Sequence, residues 1–488
     1  MGSWGDRNLK IRAQSKYDLP AGMPVGIDKT TGKFAPLYSW ILPHYYQYTS
    51  TTYPAGICKV DINTFVMLYI YSNTKLFVQA FTFSLVTGEI MYGEPVEVDT
   101  DADPVGGGYS EFCGICEIDT NKFVVGFGDT SNSNYGTVVA GTVSGTTITL
   151  GALNAFFNAA AFVRVAKLDT NKFIAMVMGD TKAYFCAGTV SDKTISMGSS
   201  AREAADEVVT GPVDVCQTYT NEFAGIYYDS TTKHRVIAGT VSGTNITLGT
   251  VVQYSDVNAS DSYRRIASNG NRAFLISYMD NNNYGFRLAC TISGTTITPG
   301  TAVSDAIYAG SGTSIGLNYP YAMCATADDK YLAAGSTSTY GVIQNFAVSG
   351  TTVAASTHDE FAAVATYNIY ALTPYQDGLV MGLVNSASHA ATQADFAPVL
   401  LSYESPYLRA AGVLESSVSA DDYVNAVYRG VVDSQFNNSE LAPMFLYHPR
   451  RGGESLVHSP ISAANDATSV KRNFIWLTRN KIFVDFTA

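Results

Sequence analysis

The chain has 488 residues, too many for one ordinary core, so repeats or several domains are expected. Charged residues make up 15% and hydrophobic residues 46%, while Tyr (32 copies) and Gly (42 copies) are abundant; this is a strand-and-turn composition. A net charge of −12, spread along the chain, argues against nucleic acid as a general partner, and the lack of any apolar run of about 18 residues argues against a membrane span.

The first residues, Met1 to Asp6, carry no basic region leading into an apolar stretch and no Ser or Thr at position 6. Neither a secretory signal nor myristoylation is expected, and synthesis in a cytoplasm is. Leu19 to Asp28, Lys29 to Lys33 and Phe34 to Leu37 read as strand, turn and strand. A tyrosine-rich stretch follows, with Tyr45, Tyr46 and Tyr48. Together with Tyr319 and Tyr321 it suits either an interface or alternating strand faces with half-buried rings.

A repeat then begins. Asp119-Thr-Asn-Lys-Phe123 recurs as Asp169-Thr-Asn-Lys-Phe173 and Tyr219-Thr-Asn-Glu-Phe223, with Asp61-Ile-Asn-Thr-Phe65 before them. Worn copies end at Phe274, Tyr331 and Leu379, so the anchors are spaced by 58, 50, 50, 51, 57 and 48 residues. Some 20 residues after each anchor, a second phrase recurs: Ala140-Gly-Thr-Val-Ser-Gly-Thr-Thr-Ile-Thr-Leu-Gly151, with copies at Ala187, Ala238 and Ala289 and a worn one at Phe346. Each unit reads as four antiparallel strands with Gly or small polar residues at the reversals. Seven such units predict a seven-bladed β-propeller; a β-solenoid ranks second, since its coils are shorter and lack the four-strand meander. The seventh unit is one strand short, and Phe34 to Leu42 is expected to supply its outer strand.

The register accounts for most cysteines. Cys58, Cys116, Cys216 and Cys324 each lie seven residues before an anchor, where the other units carry Ala166, Ala267 and Leu372. This is a small apolar site on the innermost strand, so Cys113-Gly-Ile-Cys116 is read as packing rather than as a redox or metal motif. The expected repeat core is therefore Cys58, Phe65, Cys116, Phe123, Phe173, Cys216, Phe223, Phe274, Cys324 and Tyr331. Asp99, Asp101 and Asp103 alternate like calcium ligands, but Pro104 stands where an EF-hand loop needs Gly; an acidic inter-blade loop is the plainer reading, with a weak cation site as its alternative. The six histidines are scattered, and most of them read as surface or loop residues. No nucleophile elbow, phosphate loop or dinucleotide fingerprint is present, so no catalytic residue and no cofactor is assigned.

After the repeats, Ala410 to Glu415, a polar turn, and Tyr423 to Val432 read as strands, and Val470 to Leu477 and Lys481 to Phe486 as further strands in an end domain or subunit contact. Phe474 and Trp476 are candidate interface residues there. The predicted organisation is all-β: residues 1–40 and 406–488 are two halves of a small β-sandwich or barrel-like domain, and residues 41–405 an inserted propeller.

Ala21-Gly-Met-Pro-Val25, Thr31-Gly-Lys33, Ala411-Gly-Val413, Val424 to Gly430 and Leu441-Ala-Pro443 together resemble a β module of tailed-bacteriophage virion surface proteins, found in tail fibres, spikes and capsid-surface proteins. The Thr/Ser/Gly-rich repeat is similar in style. The chain departs from the pattern by placing the whole propeller between the two halves. The resemblance implies a non-enzymatic virion component, made in the bacterial host cytoplasm and lying on the particle exterior. Its implied partners are other virion proteins and itself, as a symmetric homo-oligomer. The propeller would then be a display, docking or host-adhesion platform. A propeller lectin for host glycans, and a glycan-cleaving hydrolase or lyase with carboxylates meeting across blades, are the alternatives.

Overall fold

The computed structural model describes residues 52–402, except 72–74, 85–89, 100–112, 200, 205–207, 210, 232, 256–258, 281–284, 305–321, 328, 337–340, 355–357, 363–366, 377–378 and 387–395. Outside that span it describes nine strands: Leu9–Gln14, Pro24–Ile27, Phe34–Pro36, Ser39–Ile41, Arg409–Leu414, Tyr423–Tyr428, Gly430–Asp433, Arg472–Thr478 and Lys481–Phe486. Side chains are described only within 52–401. No helix occurs among the described residues, so none is long and apolar enough to cross a membrane.

The chain is all-β and forms a seven-bladed propeller. In the second blade, Cys113–Asp119, Lys122–Asp129 and Tyr135–Ser144 run antiparallel from the centre outwards. The outer strand is in two pieces, Thr147–Leu150 and Asn154–Phe157, and both pair with Tyr135–Ser144. Blades one to six share this plan. The innermost strands neighbour one another in turn, and Tyr367–Gln376 of the last blade lies against Thr52–Asp61 of the first, closing the ring. The hydrophobic core is a set of inter-blade layers, such as the one joining Cys58, Val66 and Leu68 to Phe123 and Val125.

The seventh blade closes as its short sequence requires. Ser39–Ile41 pairs with Phe396–Ser402 in the register Val399 to Ile41, Leu400 to Trp40 and Leu401 to Ser39. Only part of the expected segment does this, because Phe34–Pro36 pairs instead with Pro24–Ile27. The anchor of this blade is also shifted by one residue from the expected Leu379. Leu379 pairs with Gln376 across the turn, and Val380 pairs with Pro374. Leu379 thus takes the place that Lys122 has opposite Asp119, and the small inner site falls on Thr373 rather than Leu372.

In blades one, two, four and five a glycine at the break in the outer strand meets the following blade. A Cβ on Gly151 would lie 2.1 Å from the Lys193 carbonyl oxygen, and one on Gly249 would lie 2.0 Å from that of Thr295. Gly93 and Gly300 meet Thr146 and Thr351 in the same way. Each glycine lies under the third-to-fourth-strand turn of the following blade, so the recurring terminal Gly of the second phrase is an inter-blade contact. The sixth unit carries Ser356 at this sequence position, and the blade after it takes its outer strand from Ser39–Ile41, with no such turn. A second glycine, Gly141, lies opposite Phe123, whose ring sits 2.3 Å from where a Cβ would be. Where Phe81 replaces it opposite Phe65, the two rings stack at 5.1 Å.

Gly249→Ala is therefore expected to cost about 3 kcal/mol of unfolding free energy by overpacking, at the upper end of the usual range. Gly145→Asp should cost less, about 1 kcal/mol for a side chain in the left-handed region, because Gly145 (φ 62°) faces open space and Asp192 already occupies the matching turn position at φ 55°. Urea denaturation of the two variants beside the parent chain measures the difference; equal midpoints for all three would refute the contact.

Candidate functional site

The phrase Asp-Thr-Asn-Lys builds a latch between blades. Asn121, Asn171 and Asn221 adopt left-handed φ values of 59°, 57° and 57°, which Asn tolerates better than most residues. This conformation points their amides backwards: Asn121 N donates to Val60 O (2.7 Å), Asn171 N to Ile118 O (3.1 Å) and Asn221 N to Leu168 O (3.0 Å). Arg272 N does the same to Thr218 O (2.8 Å). The carbonyls of these residues then accept from Val143, Val190, Val241 and Ile292 in the third strands of their own blades.

Side chains extend the latch. Lys122 pairs with Asp119 (3.1 Å) and reaches Asn171 of the next blade (3.2 Å), and Lys172 reaches Asn221 (3.4 Å). At the next seam the polarity changes: Arg272 grips Glu222 with two hydrogen bonds, 3.0 and 2.8 Å, and lies over the Tyr219 ring. The chemistry-bearing residues of the repeat are thus engaged in ties between blades.

Phe65, Phe123, Phe173, Phe223, Phe274 and Tyr331 are fully buried. Cys58 and Cys324 are buried on innermost strands, and Cys116 and Cys216 are half-buried there. All seven cysteines are free thiols. Burial pushes the Cys113, Cys186 and Cys290 thiols up to about 12, and it raises Cys58, Cys116, Cys216 and Cys324 as well. At neutral pH these are packing groups and poor nucleophiles.

Variation among the blades is concentrated in two layers of the inner strands. Opposite the anchors stand Lys59, Glu117, Lys167, Gln217, Ser268, Ala325 and Pro374. Three residues earlier stand Gly56, Gly114, Arg164, Asp214, Arg265, Ala322 and Ala371. Lys167 pairs with Glu117 at 2.7 Å, and Lys59 donates to the Tyr375 carbonyl. Arg164 joins Asp214 (3.1 Å) and the Cys113 carbonyl (2.7 Å), while Asp214 accepts from Ile266 N (3.2 Å), so this one chain of contacts spans blades two to five. In the layer of Arg164, Asp214 and Arg265, blades six, seven, one and two carry only alanine or glycine. Arg164 and Asp214 went unassigned from sequence; comparing the units nine residues before each anchor was the signal that could have found them.

Other expected residues fare differently. Asp99 ends the strand Val96–Asp99, opposite Leu76, whereas Asp101 and Asp103 lie outside the described residues. Among the described residues no group of three His, Cys, Asp or Glu could hold a metal ion. Tyr45, Tyr46, Tyr48, Tyr319 and Tyr321 also lie outside them. Phe474 and Trp476 sit in the strand Arg472–Thr478, opposite Val484 and Ile482, with side chains outside the described set. One histidine is an exception to the surface reading: His234 is fully buried, with its ring against Tyr228, Tyr254 and Tyr278. Nearby, Arg264 lies over the Tyr228 ring. His234 opens the strand His234–Ser242, and aromatic rings of its own blade and of the next one enclose it.

A further residue missed from sequence is Asp229, which is 1% exposed. It accepts from Thr231 N (2.9 Å), the Thr231 hydroxyl (2.7 Å), Lys233 N (3.0 Å) and Arg235 Nε (2.7 Å). Burial pushes this carboxyl up, but the donated hydrogen bonds outweigh it and hold the group below the ordinary carboxylate range.

No protein-family model matches the chain, and no curated protein matches it. Similar solved structures exist. A Bacteroides fragilis 6-phosphogluconolactonase candidate has a TM-score of 0.45 at 12% identity, over 72% of this chain and 95% of that one. A Pseudomonas aeruginosa periplasmic gluconolactonase has 0.44 at 11%, over 73% and 97%. The six-bladed Aleuria aurantia lectin has 0.38 at 11%, over 64% and 97%. Likenesses of this size concern the fold alone.

Because the Asp229 pKa is depressed on folding, its stabilisation is present above the unfolded value near ~4 and is lost as pH falls through the folded value. Asp229→Asn is expected to cost about 2 kcal/mol at pH 7, for hydrogen bonds to a buried charge, and progressively less in acid. Thermal unfolding from pH 7 to pH 3 checks this; a pH-independent difference would contradict it.

Proposed function

We propose that this chain is a non-enzymatic exterior component of a bacteriophage particle, anchored through the domain its two ends form, with the propeller displayed for docking or host adhesion. The observation that carries this reading is the pairing of the resembling segments. Pro24–Ile27, from Ala21-Gly-Met-Pro-Val25, pairs antiparallel with Arg409–Leu414, which holds Ala411-Gly-Val413; Val25 lies opposite Gly412 and Pro24 opposite Val413. Leu9–Gln14 and Tyr423–Tyr428 complete a five-stranded sheet with Phe34–Pro36 at its other edge. A second sheet of Gly430–Asp433, Lys481–Phe486 and Arg472–Thr478 lies against it through Lys481–Phe486. Two sheets in contact support a small sandwich as the anchoring module.

Two features of the propeller suit this role. Among the described residues, Lys122, Lys172, Lys167, Glu117, Arg164, Asp214, Glu222 and Arg272 make ties between blades and the thiols are buried or half-buried, as suits a rigid platform. Its low charge content, 15%, leaves a surface of hydroxyls and amides. In this reading the protein acts as a symmetric oligomer beside other virion proteins, without nucleic acid and without membrane insertion.

Gold-labelled antibody against the propeller, applied to particles purified from infected cells and viewed by electron microscopy, tests the assignment. Regular label on the particle exterior is expected. Absence of the protein from every particle would overturn the reading, and binding of the purified chain to a glycan array without any particle association would favour a free lectin instead.

A further inference from the structure

The strands that close the ring and those that form the end sheet make one continuous circuit. Phe396–Ser402 is the third strand of blade seven, and the chain re-enters a sheet at Arg409–Leu414. Arg409–Leu414 pairs with Pro24–Ile27, and Pro24–Ile27 pairs with Phe34–Pro36. Leu37 and Tyr38 alone then separate Phe34–Pro36 from Ser39–Ile41, which pairs back onto Phe396–Ser402. Every link is a hydrogen-bonded ladder or a short connection.

The closing strand is weak by itself. It offers three residue pairs, and it must close a loop that contains the whole propeller, at the corresponding entropic cost. Short isolated strands of this size do not hold their place in water. Holding Phe34–Pro36 two residues away removes most of that cost, because it fixes the closing strand beside its partner at high effective concentration. The seam it guards also differs from the four between blades one and five. Between blades one and five, each seam carries the backbone latch of a left-handed residue. Between blades seven and one, Tyr375 contributes its hydroxyl to Asn63 Oδ1 (2.9 Å) and Phe83 O (3.3 Å), and its ring meets Phe65 edge-on at 5.2 Å.

We propose that the end sheet is the clasp of the propeller: blade seven stays closed only while the two chain ends are paired, so unpairing of Pro24–Ile27 from Arg409–Leu414 releases Ser39–Ile41 and opens the ring at the seam between blades seven and one. The end sheet thereby couples whatever engages it to the integrity of the propeller. This coupling stands independently of the virion assignment, since it uses only strand pairing within one chain.

The test is amide hydrogen exchange on the full chain carrying Val25→Pro, which removes a donor from the end sheet without touching the propeller. Exchange in Phe396–Ser402 and Leu379–Ser386 is expected to speed up at least tenfold, while Lys172–Gly179 in blade three keeps its parental rate. Adding the pair Ser39→Cys and Leu401→Cys, which face each other in the ladder, should restore the slow exchange once oxidised and not when reduced. Unchanged protection of blade seven in Val25→Pro overturns the proposal. So does a loss of protection spread evenly over all blades that the oxidised cross-link does not reverse.

Discussion

The structure depends on one interaction, the hydrogen bond from a left-handed turn residue to the inner strand of the preceding blade. A blade is a small twisted sheet that cannot bury its faces alone, and it becomes stable only when stacked. Apolar layers such as that of Phe123, Val125, Cys58 and Leu68 supply the cohesion, but they are non-directional. The amides of Asn121, Asn171, Asn221 and Arg272 supply direction. Each fixes how far its blade slides against its predecessor, and the same residue's carbonyl fixes the third strand of its own blade. Spacing, register and ring geometry follow from that paired constraint. The outer-strand glycines report it from the rim, since blades set this close leave no room for a Cβ beneath the next turn.

This is why so much of the fold was legible in the sequence. A turn that needs a left-handed residue, followed by an aromatic that must lie flat over a glycine, leaves a strong periodic trace in Asp-Thr-Asn-Lys-Phe and Ala-Gly-Thr-Val. Where the constraint is met by other means, the trace fades. Blade five uses Arg272 in a longer turn, and blade seven uses Tyr375 at its seam, so their units look worn. The shift from Leu379 to Val380 has the same origin: a turn whose closing residue is apolar cannot be told from an anchor by residue type alone. The glycine contact at the split of the outer strand was invisible because its partner lies in the neighbouring blade, and His234 looked like a loop residue because part of the cage around it, Tyr278, comes from one blade on.

The same reasoning separates scaffold from function. Lysine, asparagine and aspartate that recur with the period serve the seams, and cysteine that recurs with it fills space. What distinguishes one blade from another is the charged wall of Arg164, Asp214, Glu117 and Lys167 on one side of the ring. These groups also tie blades together, which explains why the functional reading rests on the chain ends. There, segments separated by the entire propeller meet in one sheet, an outcome that no local pattern required. The tyrosine-rich stretches and the Asp99 to Asp103 loop, to which the sequence draws attention, contribute nothing to that reading.

The latch itself is open to direct measurement. Turn amides near the surface normally exchange with solvent quickly, whereas amides bonded to the inner strand of a neighbouring blade are protected until the blades separate. Residue-resolved hydrogen exchange by NMR or by fragmentation mass spectrometry should find the amides of Asn121, Asn171, Asn221 and Arg272 as slow as those of the inner strands, and far slower than the exposed Thr120 and Thr170 beside them. Exchange of these four amides at the rate of their exposed neighbours would contradict the account.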